Sequence, residues 1–346
     1  MSRGGVSVAA LIATLDRAPP REKSYAASRN SMPQLTKCLQ PDARGLAQAA
    51  SLLWAGGLVA FPTETVYGLG ADARNGKAVA GIFAAKGRPH FNPLIIHVPD
   101  LEAAMAFGVF EGQAIALAEV FWPGPLTLVV PLKPESGIAD LVTAGLPTVA
   151  IRVPRATVAQ DLLAAFGGPV AAPSANPSGR ISPTTADHVM TGLAGQIDAV
   201  VDGGPCAVGL ESTILGFSDA GAHLLRPGGI AAEDIEKHIE LHTRSDGETK
   251  VTAPGQLLSH YAPNAALRLN ATNQRANEVL LGFGPDMPQA TVNLSAEGDL
   301  VEAAANLFGH LHALDRMEAP IAVSPIPEQG LGRAINDRLR RAAAPR

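Results

Sequence analysis

The chain has 346 residues, 47% hydrophobic and 17% charged, a balance that supports a sizeable core and excludes an intrinsically disordered protein; by length two domains are expected. The net charge of -5 is uneven, with about +3 over residues 1–31, about +4 over residues 333–346 and about -12 between them, so the body is not a phosphate-coating surface. Two cysteines, Cys38 and Cys206, exclude a disulfide framework or a cysteine-built zinc site and fit a reduced, cytoplasmic setting; no apolar run of about 18 residues predicts a membrane span.

Residues 1–40 show no sustained period, mix Pro19, Pro20 and Pro33 with Ser and Arg, and read as a poorly ordered leader. From 41 to 242 the pattern is that of an α/β domain on a mixed sheet. A helix over 46–54 stops at Gly56-Gly57 and feeds a strand at 58–61. Further strands are predicted at 94–98, 126–130, 149–153, 170–172, 199–201 and 213–215, with helices near 79–85, 114–121 and 184–193. A helix from 232 to about 242 closes the domain. Residues 243–263 read as a polar linker, and 264–346 as a smaller α/β domain with strands at 267–269, 279–283, 291–294 and 321–324 and a helix over 300–314.

Three loops concentrate groups able to do chemistry. Pro62-Thr63-Glu64-Thr65-Val66-Tyr67-Gly68 follows a strand directly, and its hydroxyls are donors for an anion or the satisfied hydroxyls of a plain turn. Lys86-Gly87-Arg88-Pro89 with Asn92-Pro93 keeps two cations on one loop at a helix end; they repel unless an anion lies between them, although they would also complement the helix dipole. Pro173-Ser174-Ala175-Asn176-Pro177-Ser178-Gly179 is dense in neutral donors, and Ser182-Pro183-Thr184 can cap the next helix. Arg152 and Arg226, at or near strand ends, need an anion or a salt bridge to be tolerated there. The glycines of a serine-hydrolase elbow do not flank Ser174, and no Walker lysine motif or dinucleotide glycine fingerprint occurs.

In this order the motifs resemble the YrdC-like family of threonylcarbamoyl-adenylate synthases, over about residues 42–342, in its long form with an extra C-terminal domain. The resemblance implies a twisted mixed-sheet YrdC-like domain followed by a smaller Rossmann-like domain. It implies an enzyme that condenses L-threonine, bicarbonate or carbon dioxide and ATP to threonylcarbamoyl-AMP and pyrophosphate, for N6-threonylcarbamoyladenosine modification of tRNA by downstream transferase proteins. It assigns Thr65, His97, Arg152, Ala172 and Ser212 to threonine, and Arg88, Asn92, Thr148, Ser174, Ser182, Arg226 and Tyr261 to ATP. Lys86 and Arg88 are the expected catalytic cations, 243–263 the segment that crosses the site, Mg²⁺ the ion accompanying ATP. No protein metal ligand and no tightly bound organic cofactor are expected. The rival readings are an RNA-binding module using Arg338, Arg340 and Arg341, for which a weak tRNA contact is the milder form, and carbamoyl transfer of the hydrogenase-maturation type, whose cysteine-rich zinc modules two cysteines cannot build.

Overall fold

Asp42, just ahead of the first predicted helix, accepts a hydrogen bond from the Gly45 amide at 2.8 Å and so caps a helix over Ala43–Trp54 in the computed structural model, which describes residues 35–242 and 259–345. In chain order the strands are β1 (Lys37–Leu39), β2 (Val59–Phe61), β3 (Gly68–Asp72), β4 (Ile95–His97), β5 (Leu126–Pro131), β6 (Thr148–Arg152), β7 (Val170–Ala171), β8 (Ala199–Val201), β9 (Thr213–Ser218), β10 (Gly221–Arg226), β11 (Leu241–His242), β12 (Leu267–Arg268), β13 (Val279–Gly282), β14 (Val292–Asn293) and β15 (Ile321–Val323). The helices are α1 (Ala43–Trp54), α2 (Gly76–Lys86), α3 (Leu101–Met105), α4 (Gln113–Phe121), α5 (Asp140–Thr143), α6 (Thr157–Phe166), α7 (Ala186–Leu193), α8 (Ala232–Ile235), α9 (Leu300–Asp315) and α10 (Leu331–Ala343).

The first eleven strands form one mixed sheet, ordered β1-β8-β2-β3-β7-β4-β6-β5-β9-β10-β11. α1 packs Leu46, Ala49, Ala50 and Leu53 against Leu162, Leu163 and Phe166 of α6 on one side of it. α2 contributes Val79, Ile82 and Phe83 to the larger cluster with Leu69, Leu94, Ile96 and Leu128. α2 ends on Gly87 at φ 60°, a left-handed cap that costs glycine nothing and sends Lys86 and Arg88 in different directions. The remaining strands form a separate parallel sheet ordered β12-β15-β13-β14. Its core is continuous with the first domain: Leu307, Phe308 and Leu311 of α9 cluster with Val66, Ile181 and Leu210.

The mixed α/β class expected from the sequence is the one observed, with three local corrections. Residues 37–39, placed in the leader, form β1 in parallel register with β8; three residues are too few to show a period. The helix predicted over 232–242 stops after Ile235, and Leu241–His242 instead pairs with β10, because the partner strand outcompetes a weak local preference. α7 is capped by Thr185, which accepts from the His188 amide at 3.3 Å, and not by Ser182. Residues 243–258 of the expected linker and residues 1–34 of the leader lie outside the described residues.

Candidate active site

The cavity that gathers most of the expected residues lies against the face of the sheet over β7, β4 and β6. Ile95 and His97, two apart on β4 and therefore on one face, form its floor with Ala172, which follows β7 and donates its amide to Ile95 O at 2.9 Å. The Thr63–Val66 turn lies over it: Thr63 Oγ1 and Thr65 Oγ1 are 2.8 Å apart, and Thr63 also donates to Val66 O at 2.7 Å. Arg152 reaches this turn from the end of β6, donating from Nη1 to Thr65 Oγ1 at 2.8 Å and from Nε to Gly124 O at 3.3 Å. Its Nη2 is 2.7 Å from Glu64 Oε1, an ion pair buried at both ends. The other Glu64 oxygen accepts from the amides of Arg155 and Ala156 at 3.0 and 3.3 Å. Burial opposes the charge of Glu64, but Arg152 and these hydrogen bonds outweigh it and hold its carboxyl below the usual range. Beside them His97 is buried, edge-on to Phe61 at 6.2 Å, and its affinity for a proton is pushed down to about 3 by burial and then by Arg152, so it is neutral at physiological pH. Its Nδ1 has no hydrogen-bond partner among the described residues.

A second side is cationic. Arg88 turns back over its own loop, Nη2 donating to Pro93 O at 3.0 Å and Nε to Asn92 O at 3.4 Å. Burial and the neighbouring Arg226 bring its pKa down to about 10, which still leaves it charged at neutral pH. Arg226 donates to Ser212 O at 2.9 Å and to Ser212 Oγ at 3.3 Å, and Ser212 Oγ lies 2.7 Å from Thr127 Oγ1. Two guanidiniums and the Ser174 loop thus face one space. Such an arrangement favours an anion, whose charge offsets the repulsion between them.

The third side comes from the C-terminal part of the chain. Tyr261, at φ 63°, is buried with its ring stacked on Phe308 at 5.7 Å and its hydroxyl without a hydrogen-bond partner among the described residues. The segment is pinned by Ala262 N donating to Gly179 O at 2.8 Å and by His260 N donating to Arg341 O at 3.2 Å. From α10 comes Arg338, 0% exposed, with its guanidinium 5.0 Å from the Tyr261 ring centre and its Nε donating to Glu211 Oε2 at 2.8 Å. The other Glu211 oxygen accepts from Ser182 Oγ at 2.5 Å. Burial raises and Arg338 and Arg226 lower the Glu211 carboxyl, with the net result below the ordinary range.

Of the residues expected at threonine, Thr65, His97, Arg152, Ala172 and Ser212 all line this cavity, as do Arg88, Ser174, Arg226 and Tyr261 of those expected at ATP. Four others stand back from it. Lys86 is buried behind the Ser174 loop and donates from Nζ to the carbonyls of Ser174, at 2.5 Å, and Asn176. Asn92 supports Arg88 through its carbonyl, Ser182 is committed to Glu211, and Thr148 begins β6 opposite Pro131. Sequence reasoning gave no site role to Glu64, Glu211 or His260, and gave Arg338 only the RNA-module reading. Glu64 and Glu211 could have been found as carboxylates one residue from the hydroxyl-bearing positions Thr65 and Ser212, whereas Arg338 carries no local signal. Within the basic tail Arg338 is buried in an ion pair with Glu211, whereas Arg340 is exposed and pairs with Glu328 at 2.5 Å.

A cation-rimmed cavity on the face of a mixed sheet, walled on one side by a second, parallel-sheet domain, defines a two-domain α/β protein built to hold an anion. Residues 51–228 match the family model described as "Telomere recombination", and residues 230–344 match that described as "Threonylcarbamoyl-AMP synthase, C-terminal domain". The chain belongs to the Sua5/YciO/YrdC family. It is 41% identical to the threonylcarbamoyl-AMP synthase of Bacillus subtilis (strain 168), over 87% of this chain and 93% of that one. It is also 41% identical to the threonylcarbamoyl-AMP synthase of Pyrococcus abyssi, over 85% and 93% of the two. The crystal structure of P. abyssi Sua5 complexed with L-threonine superposes with a TM-score of 0.81, covering 89% of this chain and 97% of that one at 36% identity.

Proposed function

We propose that this chain is an L-threonylcarbamoyl-AMP synthase. The observation that carries the reading is the cavity in which Arg152, fixed between Glu64 and Thr65, faces the same small space as Arg88 and Arg226. In the reaction, the threonine amine adds to bicarbonate with loss of water to give a carbamate. A carbamate oxygen then attacks the α-phosphorus of ATP and pyrophosphate leaves. Both reactants are anionic, so the protein's task is to bring two negative groups together and to stabilise charge as it develops; a protein nucleophile has no part in it.

In this reading Arg152 and Thr65 hold the threonine carboxylate, Ala172 and Ser212 border the amino acid, and His97 offers a neutral ring. Arg88 and Arg226 meet the phosphates and Ser174 the nucleotide. Lys86 supports that loop from behind. The cavity is small, about 50 Å³, room for a few waters at roughly 10–15 Å³ each. The His260–Tyr261 side, continuous with residues 243–258, is the side proposed to move, closing over a carbamate that water would otherwise destroy. Mg²⁺ is proposed to travel with ATP. The described residues hold no cluster of three His, Cys, Asp or Glu side chains, and both carboxylates at the site are committed to arginines, so the fit is to an ion carried by phosphates and not to a protein cage. The product would pass to proteins that modify tRNA, in the cytoplasm. The test is pyrophosphate release by the purified chain: it is expected only with ATP, threonine and bicarbonate together, and release without threonine would sink the reading.

A further inference from the structure

We propose that Arg338 is a positioning residue for the phosphate side of the cavity, acting through Glu211, so that the C-terminal domain sets the charge of the active site. The inference rests on the synthase reading for the identity of the ligand. Glu211 lines a cavity that must accept anions, and an uncompensated carboxylate there would repel them. It would also attract Arg226, which is hydrogen-bonded to Ser212, the next residue in the chain. Arg338 removes both problems from behind. Its Nε meets Glu211 Oε2 at 2.8 Å, its Nη1 meets Asp337 at 2.7 Å, and its guanidinium lies over the Tyr261 ring, so the carboxylate is turned toward Arg338 and Ser182. Arg226 then keeps its place on Ser212 at the phosphate side. The pair joins residues 127 positions apart in the chain and two different domains.

A double-variant cycle in the full chain separates this from simple domain adhesion. Arg338→Met is expected to raise the KM for ATP, and the Kd of a non-hydrolysable ATP analogue in calorimetry, about tenfold or more, as for a buried charge left without its partner. The KM for threonine should stay within about threefold, since Arg152 keeps Glu64. Adding Glu211→Gln removes the offending charge, so the double variant should recover analogue binding to within about threefold of the parent. Unchanged analogue affinity in folded Arg338→Met, or a double variant no better than the single, overturns the proposal. Should Arg338→Met fail to fold, the double variant decides: it folds and binds the analogue if Arg338 answers the charge of Glu211, and fails if Arg338 only fastens the helix. A parent chain that binds the analogue without releasing pyrophosphate refutes the synthase reading while leaving this cycle readable by calorimetry; a parent that binds no nucleotide ends both.

Discussion

Replacing Glu64 by Gln removes the charge that fixes Arg152 and changes almost nothing in shape. Both side chains of the pair are about 5% exposed or less, so solvent does little to screen the loss. Removing one partner of a buried pair typically costs about 3–5 kcal/mol; Gln still offers an oxygen to the Arg155 and Ala156 amides, which argues for the lower end, about 3 kcal/mol. In a chain of this size, at about 2.1 cal/mol/K of unfolding entropy per residue, that corresponds to a melting temperature lower by roughly 4 °C. Because the folded carboxyl lies below its ordinary value, the stabilisation is complete above about pH 4.3, the unfolded value, and disappears as the pH falls through the folded one. The gap between parent and variant should therefore be full at pH 7 and close only on the acid side. Thermal unfolding by circular dichroism against pH measures it, and the pyrophosphate assay should show a raised KM for threonine. Equal stability at pH 7, to within about 1 kcal/mol, with an unchanged threonine KM, would refute the assignment of Glu64 as the anchor of Arg152.

Arg88→Ala should reduce adenylate formation by more than about a hundredfold with little loss of fold, checked by pyrophosphate release beside a melting curve. Lys86→Met should do something different: it leaves the Ser174 and Asn176 carbonyls without their donor, so a stability loss of about 1–3 kcal/mol should accompany any loss of activity, and an active variant of parental stability would contradict the buried contacts. His97 is neutral in the fold down to about pH 3 but titrates near 6.5 when unfolded. Stability should fall as pH drops between those values, and His97→Asn should flatten that fall by up to about 1.4 kcal/mol per pH unit in denaturant titrations. Gly228→Ala places a Cβ about 2.3 Å from Glu211 O and 2.4 Å from Thr213 N; with only backbone to displace, it should yield little soluble protein, and normal expression and activity would argue against this packing.

How much of this was legible depended on whether the cause lay nearby in the chain. Strands such as β5, β6 and β8 have continuous apolar runs and stood out, as did the helical spacing of α1 and α9. β3 did not, because its Gly-Leu-Gly-Ala-Asp reads as a turn. The reason for its glycine is distant: a Cβ on Gly70 would come within 2.9 Å of both the Phe61 ring and Val170. In the site, Thr65, Arg152 and Ser212 could be picked out as polar groups at the ends of apolar segments. Thr127 could not, since it acts by holding another side chain. Lys86 was legible as a cation beside Arg88 but not in its direction, which the left-handed turn at Gly87 sets. Arg338 looked like one charge of a solvated tail until packing enclosed it.

The separation between Glu211 and Arg338 has a consequence for synthesis. The 127 positions from one to the other take about 6 to 25 s to translate at roughly 5–20 residues per second. During that interval Glu211 lacks Arg338 and has only Arg226 and Ser182 to answer its charge. The buried pair between the two domains is therefore completed only when α10 has been made and docks against the first domain.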